Sequence, residues 1–246
     1  MSKIILTASG KGGVGKSTFS SVVGYALAKR GKKTLLIELD SGLRCLDNHL
    51  ALSSVITFDL SDALCSRCEL IKTIYTCPFC KSLDLIPASF DEKFSPSDHG
   101  LPRLLVGLRH YWNYIIVDCP AGVGPEVACA ASVADISILV AAPEEISVKD
   151  AAKAAKVISE NGNSKKRLVI NSADKSAVKL YKPNNFDNII DTVGAKLIGV
   201  IPYDRHVHEA TTLGKPLNLS SKAGIAFANI AARLDGEERA LKFRKF

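Results

Sequence analysis

Residues 7–21 read TASGKGGVGKSTFSS. Gly10, Gly15, Lys16 and Ser17 satisfy G-x-x-x-x-G-K-[ST], with an apolar run, KIILTAS (3–9), before it and a helical pattern closing at Gly31 after it. A strand entering and a helix leaving is the setting that a phosphate-binding loop requires. Its glycines let the backbone curl so that successive N–H groups, from Gly10 through Lys11, Gly12, Gly13, Val14 and Gly15 to Thr18, surround an anion, and the helix N-terminus adds its dipole. Lys16 offers a point charge to the β- and γ-phosphates, and the Ser17 hydroxyl offers an oxygen to Mg²⁺. Lys11 is a second cation inside a loop whose phosphates already have one.

Working outward, KTLLIELD (33–40), LDLIPAS (83–89), YIIVDCP (114–120), ISILVAAP (136–143), RLVINSAD (167–174) and KLIGVIP (196–202) are short apolar runs with strand character. Helical patterns fall between most of them, around 97–111, 124–134, 147–161 and 186–194. Strands alternating with helices predict an α/β fold: one doubly wound, mostly parallel sheet with helices on both faces, spanning residues 1–246 as a single domain. In such sheets ligands bind beyond the carboxyl ends of the strands. Asp40, Asp118, Asn171, Pro202 and Asp204 all stand at such ends.

The chain has 246 residues, 47% hydrophobic and 23% charged, enough for one substantial core. Without a transmembrane-length apolar run or a recognisable signal peptide, a cytoplasmic location is expected. The net charge of +7 permits contact with nucleic acid or anionic lipid and is weak ground for either. The basic end LKFRKF (241–246) is too short for stable membrane attachment and leaves open a weak, peripheral, reversible one.

KGGVGKST (11–18) resembles the deviant Walker A box of the MinD/ParA ATPases, and ELDSGLRCLD (38–47), with its D-x-G-L-R-x-L-D pattern, resembles the MinD subgroup. The resemblance covers nearly the whole chain. It implies a P-loop fold, Mg²⁺-dependent hydrolysis of ATP and an ATP-dependent homodimer. In that homodimer Lys11 reaches the nucleotide of the other subunit, much as an arginine finger would. It further implies that Asp40 orients the attacking water, that DCPAGVGPE (118–126) is the second switch with Asp118 serving Mg²⁺, and that Asn171 and the Pro202–Asp204 loop hold adenine. Taken from the residues alone, the alternatives are that Asp40 caps a helix or an Asx-turn and that Asn171 is a strand-end turn residue.

CSRCELIKTIYTCPFC (65–80) departs from the resemblance. Cys65, Cys68, Cys77 and Cys80 form C-x₂-C-x₈-C-x₂-C, a spacing that suits four thiolates on Zn²⁺ and, with lower priority, an iron–sulfur cluster, a redox dithiol pair at CPFC (77–80), or four unliganded thiols. Residues 61–82 are therefore expected to be a small metal-binding insertion that recognises a protein effector. Three functions compete: a MinD-like spatial regulator of division-site placement or protein positioning, favoured; a metal-cluster or metal-insertion ATPase working through the cysteines; and a DNA-segregation ATPase, suggested by net charge alone.

Overall fold

A computed structural model describes residues 2–162, 164–174 and 183–241. Among the described residues eight strands form one sheet: β1 (Lys3–Ala8), β2 (Thr34–Glu38), β3 (Tyr75–Thr76), β4 (Leu83–Ile86), β5 (Tyr114–Asp118), β6 (Ile136–Ala141), β7 (Lys165–Ala173) and β8 (Lys196–Pro202). Their spatial order is β3-β4-β2-β5-β1-β6-β7-β8, parallel throughout except for β3. β1 lies between β5 and β6, so successive strands are added in opposite directions on its two sides. The crevice beyond its carboxyl end is the switch point, and the phosphate loop emerges there.

Among the described residues the helices are α1 (Lys16–Lys29), α2 (Leu46–His49), α3 (Leu60–Leu64), α4 (Leu101–Leu108), α5 (Pro125–Ala131), α6 (Glu145–Asn161), α7 (Pro183–Val193), α8 (Arg205–Thr212) and α9 (Lys222–Leu234). Alternate strand residues feed two cores. Leu6, Ile37, Val117, Leu139 and Ile170 pack with α4, α5, α6 and α7. Ile5, Leu36, Ile116, Val140 and Val169 pack with α1 and α9, where Phe19 meets Phe227 at 6.3 Å between ring centroids. Each fully buried Leu, Ile or Phe contributes roughly 1.5–3 kcal/mol, so the double-sided burial of the central strands dominates the fold's stability.

The predicted strands are all present, and three local features differ from expectation. The helix expected from 97 begins at Leu101, because Pro96–His99 forms a 3-10 turn and Gly100 takes φ 80°. α8 follows Pro202 where only a loop was expected; Asp204 caps it by accepting from the His206 N–H. Residues 61–82 are woven into the domain: Tyr75 and Thr76 make the antiparallel edge strand against Leu85 and Asp84, and the Cys77–Cys80 turn closes the hairpin through Cys77 N–H to Leu83 O and Leu83 N–H to Cys80 O.

Candidate nucleotide site

The phosphate loop curls as its glycines predict, with Gly13 at φ 78° and Gly15 at φ 86°, a left-handed conformation costly for any side chain. Gly10 is required for a different reason: a Cβ there would collide with the Asp150 carbonyl of α6. Val14 is buried and its carbonyl accepts a 2.8 Å hydrogen bond from Asn171 Nδ2. Because a carbonyl can only accept, the orientation of the Asn171 amide is determined. A bulge in β7 before Ala173, with Ser172 at φ 56°, carries Asn171 to this position. Asn171 therefore braces the phosphate loop, a role its strand-end position alone did not suggest.

Lys16 and Asp118 form a buried pair. The ammonium lies 3.3 Å from Asp118 Oδ2 and 3.3 Å from Ser17 Oγ. Burial disfavours the lysine's charge, yet the Asp118 carboxylate, followed by Cys119 and Asp40, holds its pKa above the ordinary value. Ser20, one helical turn beyond Lys16, donates 2.7 Å to Asp118 Oδ1. Ser20 was missed in the sequence; its i+4 spacing from Lys16 on α1 was the available signal. The two oxygens assigned to Mg²⁺, Ser17 Oγ and Asp118 Oδ2, are thus already gathered around one cationic group, and both are hard donors of the type the metal takes. The residues fit Mg²⁺.

Lys11 is placed quite differently from Lys16. Its side chain keeps 46% of its surface exposed, and it forms an ion pair with Glu144, also exposed, at 3.8 Å. Exposed pairs of this kind are worth about 0–1 kcal/mol, so the contact restrains Lys11 little. Asp40 sits in the turn after β2, its Oδ1 accepting from Leu43 N–H at 3.3 Å. The same segment is anchored by Arg44, which pairs with Asp47 at 3.1 Å and stacks 3.7 Å from the Phe90 ring centroid. Pro202 pairs with Ala173 at the adjacent strand end. Asp204 accepts from both the N–H and the Nδ1 of His206, so its carboxylate serves as a helix cap.

The expected four-cysteine metal centre is not supported by the structure. Among the described residues no group of three or more His, Cys, Asp or Glu side chains converges to hold a metal ion. Cys77 and Cys80 are buried in the core shared with α1, and burial pushes the Cys77 thiol up to about 11. Cys65 instead follows α3, whose Leu60 and Leu64 pack into the core on the opposite face. Nothing in this arrangement supports zinc or an iron–sulfur cluster.

A phosphate loop with two lysines of opposite exposure and a strand-end aspartate at the metal position narrows the family. The model of the CobQ/CobB/MinD/ParA nucleotide binding domain matches residues 5–217. The chain belongs to this family. Within the MinD/ParA group, its similar relatives carry the MinD name. The septum site-determining protein MinD of Synechocystis sp. is 35% identical over 242 residues, covering 97% of this chain and 91% of the relative. That of Bacillus subtilis is 34% identical, covering 96% and 90%. Among solved structures, the MinC:MinD cell division protein complex of Aquifex aeolicus matches with a TM-score of 0.87 at 32% identity over 98% of both chains. MinD of Pyrococcus horikoshii, complexed with Mg-ADP, matches at 0.85 and 27% identity over 96% of this chain and 97% of that one. The single α/β domain and its sheet are those of the P-loop MinD fold.

Among the described residues no helix is long and apolar enough to cross a membrane. The basic end on which a peripheral membrane contact was considered lies, from residue 242 on, outside the described residues.

Proposed function

We propose that this chain is a Mg²⁺-dependent ATPase that pairs with a second copy when ATP is bound and regulates the placement of the division site, as its MinD relatives are named for doing. The observation that carries the reading is the contrast between the two loop lysines. Lys16 is buried against its own Asp118, whereas Lys11 projects from the loop mouth and meets a weak, exposed partner. A cation displayed outward beside a phosphate site is suited to act on a nucleotide held by another subunit.

In this reading the loop amides and Lys16 hold the phosphates, with Lys16 turning from Asp118 toward them. Ser17 and Asp118 hold Mg²⁺, which neutralises phosphate charge when bound. Ser20 keeps the Asp118 carboxylate oriented, and Asp40 accepts the proton side of the attacking water. Asn171 ties the base side of the site to the loop. The phosphate face and its switch segments are where a protein effector would sense the nucleotide, as MinC is partnered with MinD in the Aquifex complex.

The experiment is mass in solution with a non-hydrolysable ATP analogue and Mg²⁺, beside steady-state ATP turnover. Wild type should double its mass and Lys11→Ala should remain single while still binding nucleotide. A wild type that never pairs, or a Lys11→Ala that pairs and hydrolyses normally, defeats the reading.

A further inference from the structure

Glu38 is a carboxylic acid inside an apolar strand, completely buried at the end of β2. Its Oε1 accepts two backbone hydrogen bonds, from Cys45 N–H at 2.5 Å and Leu46 N–H at 3.0 Å. These are the first amides of α2, which lack partners within the helix itself. Oε2 is buried and makes no hydrogen bond among the described residues, so there the polar tie of the side chain runs to residues 45 and 46. Between Glu38 and that tie lie Leu39 to Arg44, the segment that displays Asp40.

We propose that Glu38 is a positioning residue for ATP hydrolysis: its carboxyl staples the far end of the first switch back onto β2 and so fixes where Asp40 stands relative to the phosphates. The proposal rests on the reading that Asp40 addresses the attacking water. Three features support it. The staple is a short-range closure, from residue 38 to 45, around a turn that is otherwise held by local bonds, Ser41 N–H to Leu39 O at 3.2 Å, Leu43 N–H to Asp40 Oδ1 at 3.3 Å and Arg44 N–H to Asp40 O at 3.0 Å, and by the Arg44 contacts. Glu38 is in register with Asp118 on β5, and Asp118 with Thr7 on β1, so the three side chains point to the same face of the sheet, the face of Lys16 and Ser20. A shift of the staple is thereby a shift of Asp40 against a rigid reference. Finally, the bond is made by an acceptor alone, so an amide can replace the acid in this role and a hydrocarbon cannot.

The test uses the full chain. Glu38→Leu should lower kcat for ATP about 10- to 100-fold, the cost of a small misplacement of a reacting group, with KM within twofold of wild type. Glu38→Gln should restore kcat to within about threefold. A role in stability alone would lower folded fraction and leave the kcat of the folded protein and the Gln rescue without this pattern. Because Glu38→Leu could fail to fold, hydrogen exchange on wild type supplies a second readout: the Cys45 and Leu46 amides should be protected well beyond those of Ser41 to Leu43. Equal exchange across 41–46, or equal losses for Gln and Leu, or full turnover by a folded Leu variant, overturns the staple. A wild type with no ATP turnover at all, but with protected 45 and 46 amides, removes the parent reading and with it the catalytic consequence, leaving the geometry.

Discussion

The Lys16 ammonium lies 3.3 Å from Asp118 Oδ2, both side chains almost wholly withdrawn from water, and the same carboxylate takes the Ser20 hydroxyl on its other oxygen. The pair links the first turn of α1 to the end of β5. It is the electrostatic centre around which a nucleotide and its metal would have to reorganise.

Removing one partner of such a pair leaves an uncompensated buried charge. Asp118→Ala should therefore destabilise the fold by roughly 3–5 kcal/mol. The double variant Lys16→Met with Asp118→Leu should recover most of that loss while abolishing nucleotide binding. Urea unfolding of the single and double variants reads this directly. Equal stability of wild type and Asp118→Ala would contradict the pairing.

Asn171 holds Val14 O through its amide nitrogen. Asn171→Asp replaces that donor with an acceptor facing a carbonyl, whereas Asn171→Ala only deletes the bond. ATP affinity should fall in both, by about tenfold for Ala, in line with the ~1 kcal/mol typical of a lost hydrogen bond plus an unpaired buried carbonyl. Asp should fall further. Calorimetric titration of the two variants checks the order, and an Asp variant that binds as well as Ala would show that the loop does not depend on this brace.

Chain purified without chelator should contain no stoichiometric zinc or iron by elemental analysis. Cys65→Ser and Cys68→Ser should change stability by no more than about 0.5 kcal/mol, as surface-near substitutions do. Cys77→Ser, which puts a hydroxyl into the apolar core against α1, should cost about 1–3 kcal/mol. One metal per chain, together with equal losses for all four serine variants, would restore a four-thiolate centre.

Burial pushes the Glu38 carboxyl up to about 8 from the 4.5 of an exposed glutamate. With the folded value raised, the native chain keeps a proton that the unfolded chain has already lost across that interval. The stability due to this group is complete below the lower value and declines as pH rises through the window, levelling above the upper one. Unfolding midpoints followed upward in pH should fall more steeply for wild type than for Glu38→Gln over that range, and run parallel above it. Parallel curves throughout would mean that Glu38 does not carry a displaced proton.

Much of the architecture was legible because it is local and repetitive. Apolar runs such as YIIVD and ISILVA are buried on both faces and read as strands without reference to their neighbours. The phosphate loop was legible for the same reason: curvature, dipole and charge are supplied by contiguous residues. Helix α8 was legible in principle, since Asp204 two residues after Pro202 is a cap signal, and was passed over because the segment was assigned to base recognition. Glu38 was visible as an acid within an apolar strand, but its partners at residues 45 and 46 could be known only once the turn was closed.

The cysteines mark the limit most clearly. Their spacing is compatible with a metal knuckle, but spacing records distance along the chain and not which face of a sheet a side chain enters. By itself the sequence determined the strand–helix alternation, the phosphate loop and the positions of Lys11, Lys16, Ser17 and Asp118, because each depends on neighbours a few residues away. Only the tertiary structure decided that Asn171 braces Val14, that Ser20 and Lys16 share Asp118, that Glu38 bonds the amides of residues 45 and 46, and that Cys77 and Cys80 lie in the core against α1. Those outcomes depend on which strands lie side by side and which face each residue meets, and burial of apolar surface over the whole sheet sets both.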